Sequence, residues 1–96
     1  MTGAPNPTAD PFGRYVGNDN YGKPKQEYLD RLAAMDDVAL AKETEQAIWL
    51  SSYAGNNPRS DYHWHCDAAY DECQRREQKG IYDRAYKAVE RQVTGR

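Results

Sequence analysis

The sequence predicts an all-α fold: a small bundle of three to four short helices over residues 25–96, preceded by an extended N-terminal tail over residues 1–24. Three observations carry this. From Lys25 onward, apolar side chains recur at spacings of three and four, the period of a helix with one buried face. No stretch alternates apolar and polar strictly enough for a strand. The first 24 residues hold four of the five prolines (Pro5, Pro7, Pro11, Pro24) and four of the seven glycines (Gly3, Gly13, Gly17, Gly22). Neither period survives that density of breakers.

Each element has its own signal. In the tail, Phe12, Tyr15, Val16 and Tyr21, with Arg14 and Lys23, are spaced either to drape over the domain or to grip a partner, and draping is the plainer expectation. The first helix follows Pro24, with Tyr28, Leu29, Leu32 and Met35 as its apolar stripe. Asp36 is the expected N-cap of a second helix over Asp37–Tyr53. That helix contains Val38, Leu40, Ala41, Ala47, Ile48 and Leu50, and its polar face carries Lys42, Glu43 and Glu45. Gly55-Asn56-Asn57-Pro58 should end it, with Gly55 as a left-handed cap. Ser60 is the expected N-cap of a third helix over about Asp61–Gln78, closed by Lys79-Gly80. A fourth, over about Ile81–Val93, places Tyr82, Ala85, Tyr86, Val89 and Val93 on one face. The expected core is Leu29, Leu32, Leu40, Ile48, Cys66, Ala69, Cys73, Ala85, Val89 and Val93.

At 96 residues the chain is one small domain, near the size at which a single core becomes marginal. Aliphatic residues are scarce, with four Leu, four Val and two Ile, whereas tyrosine appears eight times beside two Trp and one Phe. Tyr-rich faces suit half-wet sites and interfaces, because each buried ring brings a hydroxyl that needs a partner. The formal charge is −2 and no basic concentration is evident, so direct binding of nucleic acid is not expected. No apolar run approaches the ~18 residues that span a bilayer, and no basic-then-apolar leader opens the chain. A soluble cytoplasmic protein is the expectation. The charges are nevertheless polarised. Six acids against three bases leave −3 between Lys25 and Leu50, and seven bases against three acids leave +4 between Arg75 and Arg96. Either the acidic half meets a basic groove on a partner, or the two halves neutralise each other across the bundle.

The densest collection of reactive side chains is Ser60-Asp-Tyr-His-Trp-His-Cys-Asp-Ala-Ala-Tyr-Asp-Glu-Cys73. On a helix, Cys66 and Cys73 lie two turns apart, roughly 10 Å between Cα atoms, too far for a disulfide. Both read as small buried hydrophobes. His63 and Cys66 neighbour each other, but Cys73 is out of reach of a shared zinc and His65 projects elsewhere. The same His63–Cys66 pair, with Asp67 one turn on, lacks any loop to hold an oxyanion. Asp67, Asp71 and Glu72 read as a solvated face, with Arg75 and Arg76 placed for ordinary pairs four residues after Asp71 and Glu72. The expectation is no catalytic residue, no metal and no cofactor, hence no enzyme.

The run Ala47-Ile-Trp-Leu-Ser-Ser-Tyr-Ala-Gly-Asn-Asn-Pro-Arg-Ser-Asp-Tyr-His-Trp-His-Cys66 resembles short proteins of bacteriophages and mobile elements. In size, acidity and lack of catalytic motifs, Asp36 to Val93 resembles the anti-CRISPR proteins directed at type I surveillance complexes. That resemblance implies a stoichiometric inhibitor in the host cytoplasm. It would bind a host Cas subunit and block target DNA or nuclease recruitment. A phage morphogenesis or host-takeover adaptor is an alternative; a small DNA-binding regulator, with Asn57-Pro58-Arg59-Ser60 opening a helix towards phosphates, is a second. The expected partner-binding residues are Trp49, Tyr53, Asn56, Asn57, Arg59, Tyr62 and Trp64, an aromatic cluster at the Gly55–Pro58 end of the bundle. Glu43 and Glu45 adjoin it and would face a basic partner surface. Phe12, Tyr15 and Tyr21 count as further aromatic surplus.

Overall fold

The computed structural model describes residues 15–94; of the expected tail, residues 1–14, with Phe12 and Arg14, lie outside the described residues. Four α-helices and no strand occur among the described residues: α1 Lys25–Ala34, α2 Asp37–Tyr53, α3 Asp61–Arg75 and α4 Lys79–Thr94. α2 packs on both α3 and α4, those two pack on each other, and α1 lies against α3.

Local chemistry sets most boundaries. Pro24, with φ −58° and ψ 131°, leads into α1, since its ring presets φ and its missing N–H is no loss at a helix start. Asp36 caps α2, its carboxylate accepting the Ala39 N–H at 2.8 Å. The Ser60 hydroxyl accepts the Tyr62 N–H at 3.2 Å and caps α3. Two stops differ from expectation. Gly55 is not left-handed, positive φ among described glycines being confined to Gly17 and Gly22. Instead Ala54 ends α2 at φ −90° and ψ 25°, and tight turns carry the chain on through Asn57 N–H to Ala54 C=O (2.9 Å) and Ser60 N–H to Asn57 C=O (3.1 Å). α3 stops at Arg75, before Lys79-Gly80. Glu77 takes φ 58°, while Gln78 N–H bonds Cys73 C=O at 2.8 Å and Glu77 N–H bonds Gln74 C=O at 2.9 Å. This is a Schellman stop built on a glutamate where glycine is usual. Lys79 and Gly80 therefore open α4.

The core falls into two clusters, a larger one around Leu32, Leu40 and Cys73 and a smaller one of Ile48, Ala85 and Val89, with the partly buried Tyr82 against both, and it is not the expected one throughout. Leu29, Leu32, Leu40, Ile48, Ala69, Cys73, Ala85 and Val89 are buried as expected, joined by Tyr15, Tyr28, Ala47, Ala68 and Ile81. Cys66 is only half-buried, and Tyr86 and Val93 stand 50% and 49% exposed. The buried line of α4 is Ile81, Ala85, Val89. Each step of four residues advances about 40° around a helix, so by Val93 that line has turned out of the interface, and Tyr86 lies about 100° from Ala85.

Residues Tyr15–Pro24 form a strap, not a free tail. Lys25 N–H bonds Gly17 C=O at 3.0 Å, an isolated antiparallel bridge joins Asn18 and Pro24, and the Asp19 carboxylate accepts the N–H groups of Tyr21 and Lys23. Those backbone bonds, that of Lys23 foremost, hold the Asp19 carboxyl below its usual range. The strap is tied to α3 by Asn20, whose N–H reaches the Asp61 carboxylate and whose amide donates to Arg59 C=O at 2.9 Å. Tyr15 is buried in the main core, its hydroxyl on Asp71 and its ring centroid 6.2 Å from that of Trp64.

Candidate functional site

The reactive run on α3 is spent on packing. Cys73 is buried with its sulfur 4.0 Å from Thr44 Oγ1, and Cys66 sits 3.7 Å from the Tyr82 hydroxyl. Both are free thiols, and burial pushes both pKa values up, away from the reactive thiolate. His63 is bonded within the α2–α3 turn. Its Nε2 is 3.1 Å from Ala54 C=O and 2.9 Å from Asn57 C=O, and its Nδ1 is 2.7 Å from Ser51 Oγ. Two carbonyls can only accept, so Nε2 carries the proton and Nδ1 accepts from the hydroxyl. The ring thereby pins the α2–α3 turn to α3. Among the described residues no three His, Cys, Asp or Glu side chains gather as a metal site would need.

Glu72 overturns the expectation of a solvated carboxylate face. It is 4% exposed and is bound by Arg75 and, at 2.7 Å, by Arg76. Burial alone would raise its pKa, but the hydrogen bonds and charges of the two guanidinium groups outweigh that and hold it low. Arg76 also donates to Asp37 in the first turn of α2 (2.9 Å) and to the carbonyls of Leu32 (2.9 Å) and Met35 (2.6 Å) at the end of α1. One guanidinium thus closes three helix ends.

The expected binding cluster divides in two. On the α1–α3 side, Trp64 is partly buried against the core, with its indole N–H on Asp61 at 2.9 Å and Lys25 over its ring. His65 stacks on Tyr28 at 4.1 Å between centroids and meets Trp64 edge-on at 4.3 Å. Burial pushes the His65 pKa down. Glu43 is held here, accepting the Tyr28 hydroxyl at 2.7 Å and pairing with Arg31 at 3.5 Å; burial and this carboxylate drive the Tyr28 pKa up. Tyr62, 38% exposed, shares a shallow pocket of about 240 Å³ with Asn20, Tyr21, Asn57, Ser60 and Asp61. Asn56, Asn57 and Arg59 are exposed in the turn, with Asn57 Oδ1 accepting the Arg59 N–H at 3.1 Å.

The other part lies on the outer face of α2. Trp49 and Tyr53, one turn apart, stack with centroids 5.5 Å apart and planes 18° apart, and they are 38% and 77% exposed. Among the described residues no ring contact joins them to Tyr62 or Trp64. Trp49 lines an open cleft of about 510 Å³ with Ala41, Lys42, Glu45, Gln46, Leu50 and Gln92. Val38, 69% exposed, lies further along this face. α2 is therefore apolar on two sides, one buried through Leu40, Thr44, Ala47 and Ile48, the other open. Of the expected residues, then, Trp49, Tyr53 and Glu45 share a surface, Tyr62 borders a second, and Trp64 and Glu43 are part of the fold. The cleft was missed from sequence because Gln92, which completes it, gives no signal in its own neighbourhood.

These features define a four-helix all-α protein with a stacked aromatic pair on its outer surface. Comparison with known proteins finds no matching family model, no significant curated relative and no significant match among solved structures. No helix among the described residues is long and apolar enough to cross a membrane.

Proposed function

We propose that the chain acts by binding another protein through the outer face of α2. The observation that carries this reading is the exposed Trp49–Tyr53 stack beside the α2 cleft. An aliphatic-poor domain gains stability by burying its rings, yet Tyr53 stays 77% exposed and Trp49 38% exposed beside it, and a Trp and a Tyr serve well as interface anchors. Their stacking also fixes both rings in advance, so less conformational freedom is lost on docking. The resemblance noted in the sequence makes a host Cas subunit of a type I CRISPR complex the first partner to try, with inhibition by occlusion as the mechanism. A phage morphogenesis or host-takeover adaptor would use the same chemistry on another partner.

The test is capture from a type I CRISPR host, with the bound protein identified and interference measured while the chain is expressed. The expected outcome is recovery of a Cas subunit and loss of interference. Trp49→Ala with Tyr53→Ala should weaken the captured complex by about 2 kcal/mol or more while leaving the helical circular dichroism unchanged. A captured partner that binds this double variant as tightly as the parent chain would place the interface elsewhere. No Cas subunit, with interference intact, would remove the inhibitor reading.

A further inference from the structure

We infer that the outer face of α2 also pairs with a second copy of this chain, antiparallel and across a two-fold axis. The inference rests on the reading of this face as a protein-binding surface, and it makes self-pairing and docking on another partner mutually exclusive. Val38, Lys42, Glu45, Trp49 and Tyr53 follow one another on α2 at spacings of four, three, four and four. At about 100° per residue they fall within one stripe about 80° wide, opposite the side buried through Leu40, Thr44, Ala47 and Ile48. Val38, Trp49 and Tyr53 are its exposed apolar members. Lys42 is exposed and Glu45 partly so, and both line the cleft beside Trp49. Among the described residues neither forms an ion pair. With one cation and one carboxylate, the surface is neutral but complementary to itself.

Register decides the orientation. A two-fold axis imposes reciprocity: if one residue meets a second across it, the second also meets the first. Lys42 and Glu45 are centred on the point of α2 between Glu43 and Thr44, and so are Val38 and Trp49. An antiparallel pairing about that point sets Lys42 opposite Glu45 of the second copy and Val38 opposite Trp49 of the second copy, each twice. Two ion pairs then lie between two apolar contacts, and Tyr53, stacked on Trp49, backs the indole at each end. A parallel pairing would instead set Lys42 against Lys42 and Glu45 against Glu45. A seam of about four helical turns is short, so the dimer is weak and concentration-dependent.

The experiment is sedimentation equilibrium of the full chain, with circular dichroism to confirm that each variant folds. The weight-average mass should rise from 11.0 kDa towards twice that value between about 10 μM and about 1 mM. Lys42→Glu and Glu45→Lys, each alone, turn both ion pairs into like-charge contacts and should weaken association about tenfold at low salt. An equimolar mixture of these two variants restores opposite charges at both positions, as does the chain carrying both changes. Each should regain the association of the parent chain. Trp49→Ala should weaken association about tenfold or more. A parent chain that stays monomeric, or single variants that associate as tightly as the parent, would overturn the inference. So would a mixture that stays as weak as its components. The capture experiment above separates this inference from the reading it rests on. A monomeric parent chain whose captured partner is lost with Trp49→Ala and Tyr53→Ala overturns self-pairing and leaves the partner reading standing. A dimeric parent chain whose captured partner ignores that double variant keeps self-pairing and moves the partner to another face.

Discussion

Arg76 ties the ends of three helices together through one guanidinium. It sits 14% exposed against a Glu72 that is 4% exposed, and it also holds Asp37 and two carbonyls at the end of α1. Removing one partner of a buried pair leaves the other charge without compensation. Arg75, at 39% exposure, would compensate in part. Arg76→Met should therefore cost about 3 kcal/mol in urea unfolding. Arg76→Lys should recover less than half of that, because an ammonium cannot reproduce the planar fork that reaches several acceptors at once. Glu77 shows the opposite economy. Its φ of 58° costs an L-residue about 1 kcal/mol that glycine does not pay. Glu77→Gly should raise the unfolding free energy measured in urea by about that amount, and an unchanged or lower value would show that the Glu side chain contributes something the Schellman stop does not require.

At the scale of elements, the strap and α2 depart most from a plain bundle. The strap behaves as a fifth packing element. Its bends need Gly17 and Gly22 at φ 89° and 81°, and it delivers Tyr15 into the core at 5% exposure. Tyr15→Ala should destabilise the protein by about 3 kcal/mol, the usual cost of emptying a buried ring site. Tyr15→Phe, which keeps the ring and loses the bond to Asp71, should cost about 1 kcal/mol. Equal stability of all three chains would mean that the helices fold without the strap. α2 is the inverse case: it has more apolar surface than the bundle can cover, and the excess is concentrated at Trp49 and Tyr53.

For the whole molecule, the half-buried His65 and the buried Glu72 give a common sign to pH dependence. His65 has its pKa lowered by burial from 6.5, so below pH 6.5 the unfolded chain binds a proton that the folded chain refuses, and stability falls. The loss ends once pH drops below the folded value. Glu72, held below 4.5 by Arg75 and Arg76 against the opposing effect of burial, adds a second loss that starts near pH 4.5 and continues down through its folded value. Urea midpoints measured across pH should thus decline in two steps on acidification. His65→Phe should abolish the first step and leave the second. A single step near pH 4.5 in the parent chain would show that His65 gains a proton as easily folded as unfolded.

Much of the secondary structure was legible in the residues alone, because helix starts are set by nearest neighbours. Pro24, Asp36 and Ser60 act on groups within three residues, and the 3.6-residue period marks Leu29, Leu32, Leu40 and Ile48 as inward-facing. Legibility failed where a local rule had two answers. Gly80 looked like the stop of α3, yet the chain turned at Glu77, and Glu72 with Arg75 and Arg76 has the same spacing whether solvated or buried. It failed again where burial depended on a distant segment. Tyr15 meets Asp71 across 56 positions, and Arg76 reaches Leu32 across 44. The candidate site was legible as an excess of aromatic rings, but which of them stay in water was not. Trp64 and Trp49 look alike in sequence; the strap and α1 cover the first, whereas the second stays 38% exposed beside Tyr53. Propensity acts along the chain, whereas exposure is a property of what packs across it, and only the tertiary arrangement decides that.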